Sequence, residues 1–276
     1  MIFPFRKPAP PAASPKISPA QRSFLCRQQR KRRLVLICRG FLFLLLIGMW
    51  ETASRLSWID RFIFSSPSLI LNCLWSMVLD GSLFLHTGVT LGETLLSFAL
   101  VISIGLGAAL ILWLSPTLAQ ILEPYLVILN SLPKSALAPL LIVWLGNNTK
   151  TIITAAVSVA LFGSIMTLHT GFSQTDPDKI RLIYSLGGKK TDVLAKVLLP
   201  ASIPLIISNM KVNIGLCLVG VIIGEFLSSR AGLGYLIIYS SQVFQMTVLV
   251  SSIIVLCIMS VVLYQGIAWV EKKFLA

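Results

Sequence analysis

TLLSFALVISIGLGAALILWLSPTLAQIL, Thr94–Leu122, contains no Asp, Glu, Lys or Arg. Roughly 20 apolar residues cross a bilayer as a helix, and this run is longer than that. Two more charge-free runs follow, Thr151–Thr175 and Ala231–Val270. Over all 276 residues the chain is 56% hydrophobic and 12% charged, with a mean hydropathy of +0.87. An ordinary soluble domain carries about 45–50% apolar and about 25% charged residues. A water-soluble enzyme of this length needs charge on its solvent faces in just these places, so that class is excluded. The expected fold is all-α, a polytopic membrane helical bundle.

Working outward from that stretch, six transmembrane helices are predicted. They lie at 34–50 and at roughly 86–113, 124–145, 151–170, 201–225 and 247–270. Gly92, Ser103, Gly105, Gly107 and Ala108 give the second span small surfaces for close helix contact. The third contains Pro133 and Pro139, which remove backbone donors and obstruct regular helix, so it should be kinked or partly broken. Broken backbone survives in a membrane only against protein or a water-filled cavity. Pro133, Pro139 and the neighbouring Lys134 are therefore candidates for a translocation pathway. Phe62–Leu79 is uncharged, but Ser65, Ser66, Pro67 and Asn72 suit a helix lying along the membrane surface or against the bundle.

The chain divides into a Pro/Ala-rich, then basic tail over 1–33, a first transmembrane helix over 34–50 and a connecting segment over 51–85. A core domain over 86–270, containing a loop at 171–200, and a tail over 271–276 complete it. The basic run before Leu34 has the order of a signal peptide. It is unusually long, however, and no small-residue cleavage site follows Trp50, so the segment is expected to be retained. An even number of spans puts both ends on one side, and basic residues collect in cytoplasmic loops. With the N-terminus inside, sixteen Lys and Arg fall on inner segments and four (Arg55, Arg61, Lys150 and Arg230) outside. Membrane orientation thus accounts for the net charge of +13 better than a nucleic-acid surface does. The five cysteines have no metal-ligand spacing, and no set of residues reads as catalytic. His86 and His169 lack base-orienting partners and read as interfacial hydrogen-bonding residues.

The loop TGFSQTDPDKIRLIYSLGGKKTDVLAKVLLPASIP, Thr170–Pro204, is the longest segment after Leu83 that is poor in membrane character. Thr175 or Asp176 can cap a helix starting at Pro177, and Gly187-Gly188 ends it. A second short helix is expected from Thr191 to about Leu198, with Asp192 at its positive end and Pro200 stopping it. Each has one apolar face, which must be covered either by the protein's own bundle or by a separate partner; periodicity leaves that open.

This loop resembles the cytoplasmic signature of the membrane permeases of ATP-driven, binding-protein-dependent importers. Gly187 and Pro200 fall on the glycine and proline of that signature, whereas its Glu-Ala-Ala triplet is replaced by Arg181, Leu182 and Ile183. LPKSALAPLLIVWLGNNTK, Leu132–Lys150, is similar to the proline-rich third-helix signature of the nitrate, sulfonate and taurine branch. IIGEFLSSRAGLGYLI, Ile222–Ile237, resembles the end of the fifth helix and its outward loop, and TLGETLLSF, Thr90–Phe98, adds a fourth match in order.

The resemblance implies an importer permease in the inner or plasma membrane, with both termini cytoplasmic. Its partners would be a second permease copy, two cytoplasmic ATPase subunits carrying MgATP, and an extracytoplasmic solute-binding protein. The chain itself has no phosphate-binding loop and needs no cofactor of its own. Asp176, Arg181, Gly187, Gly188, Asp192 and Pro200 would form the ATPase-coupling element. Glu225 could bind substrate, gate the pathway or contact the binding protein, or instead make a salt bridge or an N-terminal pairing with the loop; Asn147, Gly232 and Gly234 belong to the outward loop. The branch favours small anions such as nitrate, sulfonates or taurine, although similar members carry vitamin precursors. A single-chain secondary transporter or channel is the alternative, but the chain shows neither an internal repeat nor an embedded charge relay.

Overall fold

The computed structural model describes residues 19–275; residues 1–18 and Ala276, with most of the Pro/Ala-rich tail, lie outside the described residues. Among the described residues every regular element is a helix. The chain forms two units, residues 1–59 and residues 60–276. In the first, α1 (Pro19–Arg55) extends well beyond the expected first span, and Ile37–Arg55 is its membrane-crossing part. Arg55 Nε pairs with Glu51 one turn back at 2.8 Å.

The second unit opens with α2 (Arg61–Phe64) and α3 (Pro67–Leu79), then α4 (Ser82–Leu114). Ser66 Oγ accepts from Leu69 N and Pro67 occupies the first turn, the expected pairing of an N-cap with an N-terminal proline. At 13 residues, α3 is about 20 Å long, short of the roughly 30 Å hydrocarbon core. It packs against α4 and the last helix, as the sequence suggests for this segment. In the turn that follows, the Ser82 hydroxyl and amide hydrogen-bond the Asp80 carboxylate at 2.7 and 3.0 Å, holding it below the usual carboxylate range.

The third span is broken. It consists of α5 (Pro116–Ser131) and α6 (Lys134–Leu145), bent by 102° at Leu132–Pro133. It also starts earlier than the expected Glu123-Pro124. Ser115 Oγ caps the helix at Leu118 N, and Pro124 lies inside it. Then come α7 (Thr149–Ser173), the loop helices α8 (Pro177–Ser185) and α9 (Lys190–Val193), and α10 (Leu199–Ser228). Last are α11 (Leu233–Gln242) and α12 (Met246–Leu275). Helices α1, α4, α7, α10 and α12 are long and apolar enough to cross a membrane; counted as one broken span, the bent α5–α6 pair brings the number to six.

The centre of the second unit is α7, which packs against both α4 and α10. Small residues set how closely these helices approach. A Cβ at Gly220 would lie 2.5 Å from Ala156 Cα, and one at Gly224 would lie 2.9 Å from Ile152 Cα. No side chain fits between those backbones, the close approach that small residues permit in membrane helices. Buried polar side chains bind to one another: Asn209 Nδ2 donates to Ser164 Oγ at 2.7 Å, and Asn213 Nδ2 to the Asn209 carbonyl at 2.9 Å. In an apolar surround such groups need partners; the first bond ties α10 to α7, and the second lies within α10.

Candidate functional site

Two constructions stand at opposite ends of α4 and α10. At the loop end, Asp176 accepts a hydrogen bond from Asp178 N at 2.9 Å, and Pro177 opens α8. Arg181 pairs with Asp178 at 3.5 Å, but both are largely exposed, so the pair contributes little. The helix ends as the glycines require. Gly187 has φ +81°, its N–H bonds to the Tyr184 carbonyl, and Gly188 N bonds to the Ile183 carbonyl at 2.9 Å. Those two bonds make a Schellman cap. Gly187 has open space around it, whereas a Cβ at Gly188 would meet the Ile183 carbonyl at 2.9 Å. Asp192 Oδ2 then accepts from Lys189 N at 2.8 Å and caps the next turn.

The second loop helix departs from expectation. In place of a helix over 191–198 stopped by Pro200, four residues of α9 run into a π-helical turn, Leu194–Leu198, that joins α10 without a break. Pro200 lies in the first turn of α10. A proline ring crowds the carbonyl four residues back; here that is Lys196, inside the wider π turn. The widened turn lets the helix pass through the proline.

The two apolar faces of the loop have different fates. Leu198 is fully buried with Ala109, Leu168 and Phe172, and Leu194, Leu106 and Trp113 pack around them. Lys190 Nζ donates to the Leu114 carbonyl at 2.5 Å and lies 5.9 Å above the Trp113 ring, so the loop caps the end of α4. By contrast Leu182, Tyr184 and Leu186 stand 58%, 48% and 76% exposed. The protein's own bundle covers the second face; on α8, Ile180 and Ile183 are half-buried, and Leu182, Tyr184 and the C-cap Leu186, which point in different directions, stay open.

At the other end, three consecutive amides at the start of α11 are bound by side chains from two other helices. Gly232 N donates to His86 Nδ1 at 3.0 Å, Leu233 N to Thr90 Oγ1 at 2.8 Å and Gly234 N to Glu225 Oε2 at 2.6 Å. Thr90 in turn donates to Glu225 Oε1 at 2.7 Å. A helix start leaves its first amides without intrahelical partners, and a carboxylate there is favoured by the helix dipole. Glu225 is 1% exposed, buried in this latch against the start of α11. Gly232 has φ +116°, and a Cβ there would run into the Glu225 carboxylate. Asn147 Oδ1 accepts from Ser228 Oγ at 2.9 Å, tying the α6–α7 turn to the end of α10.

Thr90 and Glu93 are absent from the residues singled out as a site by sequence. Glu93 lies close to Glu225 and Thr149. Its Oε2 is buried without a partner among the described residues. It lines a cavity of about 320 Å³ with Asn147, Asn148, Ser228 and Arg230. Its signal was available: it is the one acidic residue between Asp80 and Glu123, in a helix where ionisable groups are costly. His86 is a hydrogen-bonding residue, as expected. Lys134, across the break in the third span, binds the Asn130 carbonyl; Pro133 precedes α6 and Pro139 is inside it. Lys211 pairs with Glu271 and lies over the Tyr264 ring, which fastens α10 to α12.

Residues 99–275 match the family described as binding-protein-dependent transport system inner membrane component. The chain belongs to this family. The permease is 30% identical to a probable ABC transporter permease of Haemophilus influenzae over 83% of this chain and 93% of that one. It is 25% identical to the taurine transport system permease TauC of Escherichia coli (83% and 85% covered). The riboflavin transport system permease RibX of Chloroflexus aurantiacus is 28% identical (80% and 82%). Its fold is shared with the inward-facing MetNI methionine ABC transporter, at a TM-score of 0.62 and 16% identity over 74% of this chain and 98% of that one. The chain is therefore a multi-pass membrane permease of the ABC importer family, the inner membrane component of a binding-protein-dependent transport system.

Proposed function

We propose that this permease is the translocating half of a homodimer, with two cytoplasmic ATPase subunits that bind MgATP and an extracytoplasmic binding protein that delivers a small sulfonate such as taurine. In this reading the loop at 171–200 and both termini are cytoplasmic, Asn147 and Gly232–Gly234 face outward, and Asp176–Pro200 engages the ATPase. The observation that carries it is the exposed apolar side chains around α8. Leu182 and Tyr184 project from different sides of a helix ordered at both ends, by the Asp176 cap and the Gly187 turn, and Leu186 projects from its C-cap. Large apolar side chains held exposed together outside the membrane spans call for a protein partner.

The broken third span supports a pathway along Pro133, Lys134 and Pro139, since irregular backbone at membrane depth needs protein or water beside it. The relative named for taurine supports the sulfonate; the one named for riboflavin makes the binding protein the place to test it. Reconstituted with its ATPase and binding protein, the permease should import taurine or an alkanesulfonate with ATP. ATP-driven import of riboflavin in place of any sulfonate would overturn the substrate, and failure of the permease to bind an ATPase subunit would overturn the role.

A further inference from the structure

We propose that the cavity between the start of α4, the 147–149 turn and the end of α10 binds a small zwitterion, with Glu93 holding its ammonium group and Arg230 its anionic end. The proposal deepens the importer reading and rests on it for the side of the membrane that the cavity faces.

Glu93 is 7% exposed, and its Oε2 is buried without a partner among the described residues. Buried carboxylates are ordinarily paired or hydrogen-bonded, so this oxygen calls for a donor that the chain does not supply. Its neighbours make the need for positive charge greater. Glu225 lies close by, with both oxygens accepting, from Thr90 and from Gly234 N. His86 accepts from Gly232 N at Nδ1, which an imidazolium cannot do, having two donors and no acceptor. Neither glutamate belongs to an ion pair among the described residues. Two carboxylates close together and without a cation attract one from outside.

The space for it is present. Glu93 lines a cavity of about 320 Å³ with Asn147, Asn148, Ser228 and Arg230, at the small end of the range for small-molecule sites. Arg230 is exposed, and it too belongs to no ion pair among the described residues. Two opposite charges thus line one cavity without meeting each other. A simple cation suits Glu93 and is repelled by Arg230; a simple anion has the reverse problem. A molecule with an ammonium and an anionic group a few bonds apart suits both. Its ammonium donates to the Glu93 carboxylate, and the planar guanidinium offers two donors to a sulfonate or carboxylate. The wall between the two charges is set beforehand. Asn147 is tied to Ser228, and Asn148 Oδ1 caps α7 at Lys150 N and Thr151 N, so little ordering is left for binding to cost. In the orientation proposed above, the cavity opens on the side where the binding protein delivers its solute. There it selects by the ammonium group, which an alkanesulfonate lacks.

The test measures equilibrium binding of taurine, and of ethanesulfonate, which lacks the ammonium, to the permease–ATPase complex in nanodiscs without the binding protein. The parent should bind taurine about ten-fold or more tightly than ethanesulfonate, the worth of a hydrogen bond to a charged group. Glu93→Gln keeps the size of the side chain and removes its charge; it should weaken taurine about ten-fold and leave ethanesulfonate unchanged. Arg230→Gln, at an exposed position, should weaken both, and with the parental ratio it decides the matter should Glu93→Gln fail to assemble. A parent that imports taurine with its binding protein but does not bind it in this assay would overturn the site and leave the importer reading intact. So would variants that both bind taurine as the parent does. Sodium alone raising the parent's unfolding temperature as much as taurine, with both effects lost in Glu93→Gln, would show a metal-cation site and overturn the zwitterion. Glu93-dependent taurine binding by a permease that neither associates with an ATPase nor imports would keep the site and overturn the importer reading.

Discussion

Glu225 accepts from Thr90 and from Gly234 N in a site that water does not reach, so removing it costs more than one contact. Glu225→Ala strands the Gly234 amide and leaves the Thr90 hydroxyl only its 3.2 Å bond to the His86 carbonyl. Each buried donor left without a partner costs about 1–3 kcal/mol, so the variant should unfold at a lower temperature than the parent, and than Glu225→Gln, which keeps one acceptor oxygen. Gly232→Ala should be worse than an ordinary helix substitution, because φ +116° and the Glu225 carboxylate both oppose a methyl group. Gly92→Ala, with nothing within 4 Å, is its control, and thermal unfolding in one detergent ranks all four. Equal stability of Gly232→Ala and Gly92→Ala would refute this account of the latch. At this scale the sequence was half legible. An acidic residue near a helix end marks itself by its cost in the membrane, which is why Glu225 stood out. Thr90 did not, because a threonine in an apolar helix normally satisfies its hydroxyl on the preceding turn; its relay from Leu233 N to Glu225 depends on which helices meet.

Helix ends in the coupling loop follow from local chemistry, and so were readable: Asp176 before Pro177, and Gly187-Gly188 after Ser185. The π turn was not, since a proline such as Pro200 ends helices unless the turn before it widens, and that choice is made by packing of Leu198 on Phe172. Gly187 and Gly220 separate two ways in which a glycine matters within an element. Gly187 has open space but φ +81°, so Gly187→Val strains the backbone without a clash. It should leave membrane assembly intact while weakening ATPase association or binding-protein stimulation, read by copurification and ATPase assay. Gly220→Ala instead drives a methyl group into Ala156 and should lower the unfolding temperature. Gly215→Ala, in the same helix with nothing within 4 Å, should be neutral or stabilising by about 0.5–1 kcal/mol, since alanine is the better helix former. Equal effects at 215 and 220 would show that α7 and α10 are not in close backbone contact.

For the whole molecule, the order of spans came from runs without charge, and the broken third span from Pro133 and Pro139. How the helices pair was hidden, since the lipid-facing sides of the spans are apolar too and a hydrophobic face no longer says what it faces. The structure fixes which loops share an end: Asn147 is bound to Ser228, and Lys190 to Leu114. Those ties force the 146–148 and 229–232 turns onto one side of the bundle, and the 115 and 174–190 turns onto the other. Charge then orients the pair. The loop at 171–200 carries five Lys and Arg, whereas the turn at 146–150 carries only Lys150 and the one at 229–232 only Arg230. Since basic segments stay cytoplasmic, Asn147 should be outside and Lys189 inside. In a cysteine-free background, Asn147→Cys should react with an impermeant thiol reagent in intact cells, and Lys189→Cys only after permeabilisation. The structural ties make the two results dependent: labelling of both positions from outside would contradict the span count, whereas an exchange of the two would leave the bundle correct and reverse its orientation. The second outcome would also place α8 and its exposed Leu182, Tyr184 and Leu186 in the wrong compartment for an ATPase, so one labelling experiment tests both the orientation and the partner.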